Sequence, residues 1–431
     1  MNAAELQSSL VASFRRLEQE QNHRPWSPHH PLRRRALEAF QQLGFPTTRH
    51  EDWKYTSLAP VLRYPYRVEL PPLPEPAALG AQLPALHGMP PVQLWLLNGL
   101  AHPEQLPAQV RFASFQTAGD SVPVGHILPV DSETFVALNT AFAPDVAVLS
   151  WRGHVPELCH VAVVTAPHGE PQLAHPRLSI TVEPHARAHL LVGFHTAGQA
   201  PCLTNFVAEV SLAEHAQLDL VLWQTDPHDT FLITTIGVEL ARSARLRVWT
   251  VALGGALLRN NLYIRLVGPG ADAQLFGATM VTGRQVIDHR TLVEHRVEQC
   301  TSNQLYKSVA EQEGTVTFTG RIHVYPGAQK TNAYQSHRAL LLSPKATVNA
   351  RPQLEIYADD VRCTHGATTG ALDEDALFYL RSRGIPESRA RALLLHAFVH
   401  EALELLPEEQ LRQRADELIA ERAHLPAESL S

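Results

Sequence analysis

The sequence predicts a mainly β chain, a coiled β-solenoid with helical regions at both ends. Three observations predict it. From about residue 176 short alternating strands each lead to a corner, and Ala186, Ala216, Ala244, Ala271 and Ala328 lie 30, 28, 27 and 57 residues apart, the last gap being about two periods. A small residue recurring at this period suits a coiled sheet, because successive rungs stack tightly at the corner, and strands in place of helices point to a β-helix. Both ends of the chain instead carry apolar residues at helical spacing, and a proline-rich stretch separates the first helices from the strands. A β-sandwich with regular hairpins is the alternative that this periodicity leaves open.

Composition narrows the function classes. The chain has 431 residues, of which 45% are hydrophobic and 18% charged, so it is long enough for a large core and for more than one domain. A net charge of −7 gives no reason to expect a nucleic acid or an anionic membrane as partner. The four cysteines, Cys159, Cys202, Cys300 and Cys363, form no C-x-x-C pair and fit a reducing compartment better than a disulfide framework. No secretory signal and no apolar run of membrane-spanning length is read, so the expectation is a soluble, cytoplasmic protein.

In order, Leu6, Leu10, Phe14 and Leu17 mark a first helix over residues 5–20. Ser27-Pro28 reads as the cap and first turn of a second, which buries Leu32, Leu37, Phe40 and Leu43 and stops at Gly44 before Pro46. Arg33-Arg34-Arg35 reads as a solvated helix face, and Trp53 and Tyr55 as anchors that hold the helical region onto the body. Residues 65–91 contain eight prolines and read as a connector. A strand over 92–97 closes on an Asn98-Gly99 turn, Thr134 to Phe142 reads as a short helix, and 146–151 and 159–165 as strands. After Gly370 the helical pattern returns over 373–382, stops at Arg383-Gly384, and resumes at Pro386 over 388–406, with a last helix over 408–423. Paired helices here are expected to cap the end of the solenoid. The divisions expected are 1–64, 65–91, 92–371 and 372–431.

The chemistry concentrates between Arg351 and Gly370. Leu354 and Ile356 alternate with polar residues as in a strand, and Gly366 and Gly370 mark where the chain leaves the sheet. Cys363 and His365 are two residues apart, so in an extended segment both face one side. A thiolate beside an imidazole suits iron or zinc. A buried thiol beside a chance histidine is the other reading. Asp359-Asp360 is poorly placed as an acid/base pair, since adjacent strand residues face opposite ways, and reads as edge or turn hydrogen bonding. His396-x-x-x-His400-Glu401 lacks the order of a metalloprotease motif and reads as a histidine pair beside core residues. Gly268-Pro-Gly270 is a turn without the Lys-Ser/Thr of a phosphate loop, so no nucleotide is expected on this chain.

Residues 288–400 resemble the SufB/SufD family of iron–sulfur cluster assembly scaffolds. The resemblance is carried by Gln304-Leu-Tyr-Lys, Phe318-Thr-Gly-Arg-Ile-His-Val-Tyr, Ala328-Gln-Lys-Thr-Asn-Ala-Tyr-Gln, Leu340-Leu-Leu-Ser-Pro-Lys-Ala and Phe378-Tyr-Leu-Arg-Ser-Arg-Gly-Ile, all in family order. The run Asp359-Asp-Val-Arg-Cys-Thr-His-Gly-Ala-Thr is more similar to the SufD branch than to the SufB branch, and Arg49-His-Glu-Asp-Trp-Lys-Tyr-Thr-Ser resembles the family's N-terminal signature.

The resemblance implies a right-handed parallel β-helix core and a scaffold that is not itself an enzyme. It implies a SufB-like subunit and a SufC-like ABC ATPase as partners. The nascent iron–sulfur cluster or iron would be held transiently, with Cys363 and His365 supplying part of a ligand set shared across a subunit interface. Arg383, Gly384 and Ile385 would belong to the tail that docks the ATPase. The SufB branch's cysteine and glutamate constellation is missing, which argues against holding a cluster alone. A SufB-like scaffold and a β-helical carbohydrate-active enzyme are the competing readings. An open solenoid edge is also expected to pair two isolated chains into a symmetric homodimer.

Overall fold

The structure, a computed structural model, describes residues 2–20, 30–70, 75–119, 122–226 and 230–423. Ser27 and Pro28, prolines 71, 72 and 74, and residues 424–431 of the tail lie outside these. The helices are α1 (Ala3–Glu20), α2 (His30–Leu43), α3 (Ala59–Leu62), α4 (Pro76–Gln82), α5 (Phe115–Ala118), α6 (Thr134–Phe142), α7 (Glu374–Ser382), α8 (Glu387–His400) and α9 (Glu409–Arg422). The strands begin with β1 (Leu94–Leu97), β2 (Leu100–Pro103), β3 (Val110–Ser114), β4 (Ala147–Trp151), β5 (His154–Thr165), β6 (Gln172–Ala174) and β7 (Arg177–Val182). The regular coil continues through β8 (Arg187–Thr196), β9 (Cys202–Leu212), β10 (Gln217–Gln224), β11 (Thr230–Leu240), β12 (Arg245–Ala252), β13 (Leu257–Leu266) and β14 (Asp272–Val281). It ends with β15 (Val286–His295), β16 (Thr301–Ala310), β17 (Thr315–Val324), β18 (Asn332–Leu341), β19 (Thr347–Ile356) and β20 (Arg362–Gly370).

Successive strands alternate between two sheets, which makes the coil a parallel β-helix. One sheet runs β1, β5, β8, β10 and on through the even strands to β20; the other runs β4, β7, β9 and on through the odd strands to β19. Antiparallel β2 and β3 close the first end of each. The β1–β2 link is the expected two-residue turn, with Asn98 and Gly99 both at positive φ (46° and 94°). At the other end, among the described residues, β19 and β20 have a neighbour on one side only.

Corner geometry explains the period. His185, His215, Ser243, Gly270, Gln299 and Lys330 all take φ between 51° and 75°, the left-handed bend that turns the chain from one sheet to the next. The residue after each bend stacks directly on its counterparts: Ala186, Ala216, Ala244, Ala271, Cys300 and Thr331. The expected corner at Ala328 is therefore displaced. Thr331 occupies the stacked position and its hydroxyl donates to the Ala328 carbonyl (2.9 Å), which satisfies the polar group a larger corner residue brings in. Cys300 fills the rung the alanine spacing skipped.

Strands β7 to β14 are buried on both faces, because rungs close the inside and helices cover the outside. Leu220, Leu246, Leu275 and Ile264 fill the inside. Outside the odd-strand sheet, Leu203, Phe231, Ile233 and Leu257 pack on Phe14, Phe40 and Trp53 of the N-terminal region and on Phe135 of α6. Outside the even-strand sheet, Val221, Trp223, Trp249 and Phe276 pack on Leu395, Val399, Leu411 and Ile419. The last helices thus lie along a side of the coil, not over its end as expected. The apolar surface that draws them is on β10 to β14, whereas β20 is exposed along its length apart from half-buried Cys363.

Trp53 anchors the N-terminal region as expected, but Tyr55 is exposed. The Arg259 guanidinium lies 3.8 Å from the Trp53 ring centre, pairs with Asp288 at 2.5 Å and donates to the Asp52 carbonyl at 2.7 Å. Arg34 and Arg35 are exposed as read, whereas Arg33 donates to the Ala143 carbonyl (2.6 Å) and burial holds its pKa down to about 10. Within the proline-rich stretch the chain forms α4, where Pro76 sits at the first helical position and so removes no helix hydrogen bond.

Candidate ligand site at the open end of the coil

Strands β19 and β20 make the last rung. Their backbones pair with β17 and β18 respectively, and among the described residues no strand follows beyond them. Gly366, read as an exit from the sheet, lies inside β20, which continues to Gly370. Alternation along β20 sends Cys363, His365, Ala367 and Thr369 to the inner side, above the buried Ala333, Gln335, His337 and Ala339 of β18. Cys363 is half-buried against a small apolar cluster of Ile322, Val324, Ala328, Ala333 and Ala358. Burial raises its thiol above the ordinary cysteine value, so a bound cation must displace a proton. His365 is exposed. The two expected ligands therefore share one mouth, where the interior of the coil opens to solvent.

The interior just below that mouth is polar, which the sequence reading missed. Gln304, Gln335 and His365 form one column on adjacent strands. The Gln304 carboxamide oxygen accepts from Thr291 (2.7 Å) while its buried nitrogen has no partner, and Gln335 donates to the Gly320 carbonyl (3.2 Å) while its buried oxygen has none. In the next column His337 meets the Ser308 hydroxyl at 3.0 Å and stacks on Phe318. Gly320 makes the space: a Cβ there would lie 2.1 Å from the Gln335 amide nitrogen. The available signal was Gln304 and Gln335 at one register position of successive rungs, each four residues after its corner residue Cys300 or Thr331.

Cys363 and His365 do not complete a cluster site from this chain's own thiols. Cys159, Cys202 and Cys300 are buried, and burial pushes the first two to about 12 and raises Cys300. Cys300 is two rungs below the last, about 10 Å away at the usual strand spacing. Asp359 and Asp360 lie in the turn between β19 and β20, where the Lys330 amide donates to the Asp360 carbonyl (2.6 Å) and the Asp360 amide to the Gln329 side chain (2.9 Å). They serve the turn, not a shared bond.

From β20 the chain passes almost directly into α7. Asp373 caps that helix by accepting from the amides of Asp375 and Ala376. Leu377 is its only buried residue, while Phe378 and Tyr379 are 72% and 57% exposed. Arg383, Gly384 and Ile385 form the turn into α8: Gly384 takes φ 84°, Arg383 lies over the Tyr379 ring, and all but Ile385 are exposed. This aromatic surface lies on the helix that follows the last strand after three residues. Among the described residues no helix is long and apolar enough to cross a membrane.

Comparison with known proteins agrees with this arrangement. The SUF system FeS cluster assembly SufBD core domain matches residues 163–398, and the SufBD protein N-terminal region matches 5–161. The chain is similar to an iron–sulfur cluster assembly SufBD family protein of Synechocystis, 31% identical over 410 residues and 90% of each chain. It is similar to the iron–sulfur cluster assembly protein SufD of Escherichia coli, 30% identical over 397 residues, 91% of this chain and 92% of that one. The chloroplastic protein ABCI7 of Arabidopsis thaliana is 31% identical over 333 residues, 73% of this chain and 69% of its own. A parallel β-helix flanked by helices, matched nearly end to end, leads to one conclusion: the chain belongs to the SufBD family of iron–sulfur cluster assembly proteins.

Proposed function

We propose that this chain is a scaffold subunit, not a catalyst, whose last rung supplies part of the ligand set for a nascent iron–sulfur cluster or iron. The observation that carries the reading is the one-sided rung: Cys363 and His365 share an open face and no other thiol of the chain reaches it. Clusters are held mostly by four ligands, mainly thiolates, so two call for a second chain. A SufB-like subunit pairing along β19 and β20 would provide both the missing strand neighbours and the missing ligands. The exposed Phe378 and Tyr379, with the Arg383–Ile385 turn, suit docking of a SufC-like ATPase, so that its movement pulls on a helix joined to the ligand strand by three residues. No step requires nucleotide on this chain.

Anaerobic reconstitution of the chain alone, and of the chain co-expressed with SufB-like and SufC-like subunits, tests the reading. A cluster spectrum in the complex and none in the isolated chain is expected. A stable stoichiometric cluster on the lone chain would instead favour SufB-like behaviour.

A further inference from the structure

Away from the open rung, α8 and α9 bring together three groups that the sequence does not associate. His396 and His400 lie one turn apart with rings 5.6 Å between centres, and Asp416 of α9 faces both. The His400 Nδ1 is 2.7 Å from the Asp416 Oδ1, and the His396 Nε2 is 3.1 Å from the same oxygen. The first contact is a good hydrogen bond. The second is not aligned as one, and the His396 Nε2 is buried without a hydrogen-bond partner. Glu401, the acid next to His400 in sequence, is directed elsewhere, paired with the buried Lys307. That leaves Asp416 as the carboxylate facing both imidazoles.

We propose that His396, His400 and Asp416 bind one divalent first-row transition metal, which clamps α8 to α9. Two imidazoles and one carboxylate are a donor set that zinc and ferrous iron both accept, with open positions left for water or another ligand. Each ligand offers one atom, and these atoms lie within 4.8 Å of one another. Bonds of about 2.1 Å to a tetrahedral centre put ligand atoms about 3.4 Å apart, so the observed 2.7 and 3.1 Å must open by about 0.7 and 0.3 Å, within reach of side-chain rotation. The cation would give the His396 Nε2 the partner it lacks. With side chains 18%, 34% and 19% exposed, the three groups are reached from solvent without unfolding the helix pair. The inference is independent of the cluster role assigned to the open rung.

The test uses the full chain carrying Cys363→Ala and His365→Ala, so that the open rung contributes no metal binding. It is titrated with Zn²⁺, with Co²⁺ as a spectroscopic probe, and anaerobically with Fe²⁺. One equivalent is expected to bind and raise Tm, with at least tenfold weaker binding and no Tm rise once Asp416→Asn or His396→Gln is added. His396→Gln keeps the His400–Asp416 hydrogen bond, so it carries the test if Asp416→Asn does not fold. Equal binding and equal Tm shifts with and without these changes, or no binding by the parent chain, would overturn the proposal.

Discussion

His365 pairs in register with Gln335, the last buried member of its column, and among the described residues has no strand neighbour on its other side. The final polar residue inside the coil is thereby handed on to an imidazole that a second chain can reach.

The space under His365 depends on Gly320. Gly320→Ala is expected to cost roughly 1–3 kcal/mol, since the new methyl would collide with the Gln335 amide 2.1 Å away. Adding Gln335→Ala should recover much of that loss. Urea unfolding of the two single variants and the double variant gives the coupling energy directly, and additive losses would contradict the contact.

The N-terminal region is held by a buried charge pair. Arg259→Ala removes the partner of Asp288, with both side chains 3% exposed or less, and is expected to cost roughly 3–5 kcal/mol. Limited proteolysis should then release residues 1–64 faster than cleavage elsewhere. Arg259→Met with Asp288→Leu should be milder than Arg259→Ala.

Acid should unfold the protein well above the carboxylate range. Burial holds His175, His195 and His289 down to about 3, and His160, His295 and His337 to about 4. The folded state resists protonation that the unfolded chain accepts near pH 6.5, so the stability is complete above that value and falls as pH drops toward the folded values. Each group contributes about 1.4 kcal/mol per pH unit, and six together would remove most of an ordinary folding free energy by about pH 5. The His195 ring has no hydrogen bond on either nitrogen. His195→Leu should therefore move the acid midpoint, followed by circular dichroism, to lower pH.

The open rung predicts association. In isolation the chain should form a symmetric dimer through β19 and β20, and Thr364→Lys with Thr368→Lys on the exposed edge should shift it to monomer through like-charge contact across the two-fold. Light scattering at micromolar concentration decides it: a monomeric parent chain would contradict the pairing.

Much of this architecture was legible because corners and ligands depend on local spacing. Ala186, Ala216, Ala244 and Ala271 announced the coil, and Cys363 and His365 were placed on one face by strand alternation alone. Thr331 was not legible as a corner, since its compensation is a hydrogen bond to Ala328 that only the folded turn supplies. The helices were expected over the end of the coil because they follow its last strand; in strands buried on both faces, alternation cannot separate inside from outside, so the outward Trp223, Trp249 and Phe276 gave no sign that they need a cover. Asp416 stayed invisible beside His396 and His400 because another helix brings it there.

The most direct measurement is cluster content of the complex with SufB-like and SufC-like subunits, assembled anaerobically with the parent chain or with Cys363→Ala/His365→Ala. The account predicts a complex that still assembles but retains less than a tenth of the cluster absorbance. Undiminished absorbance in the double variant would contradict it.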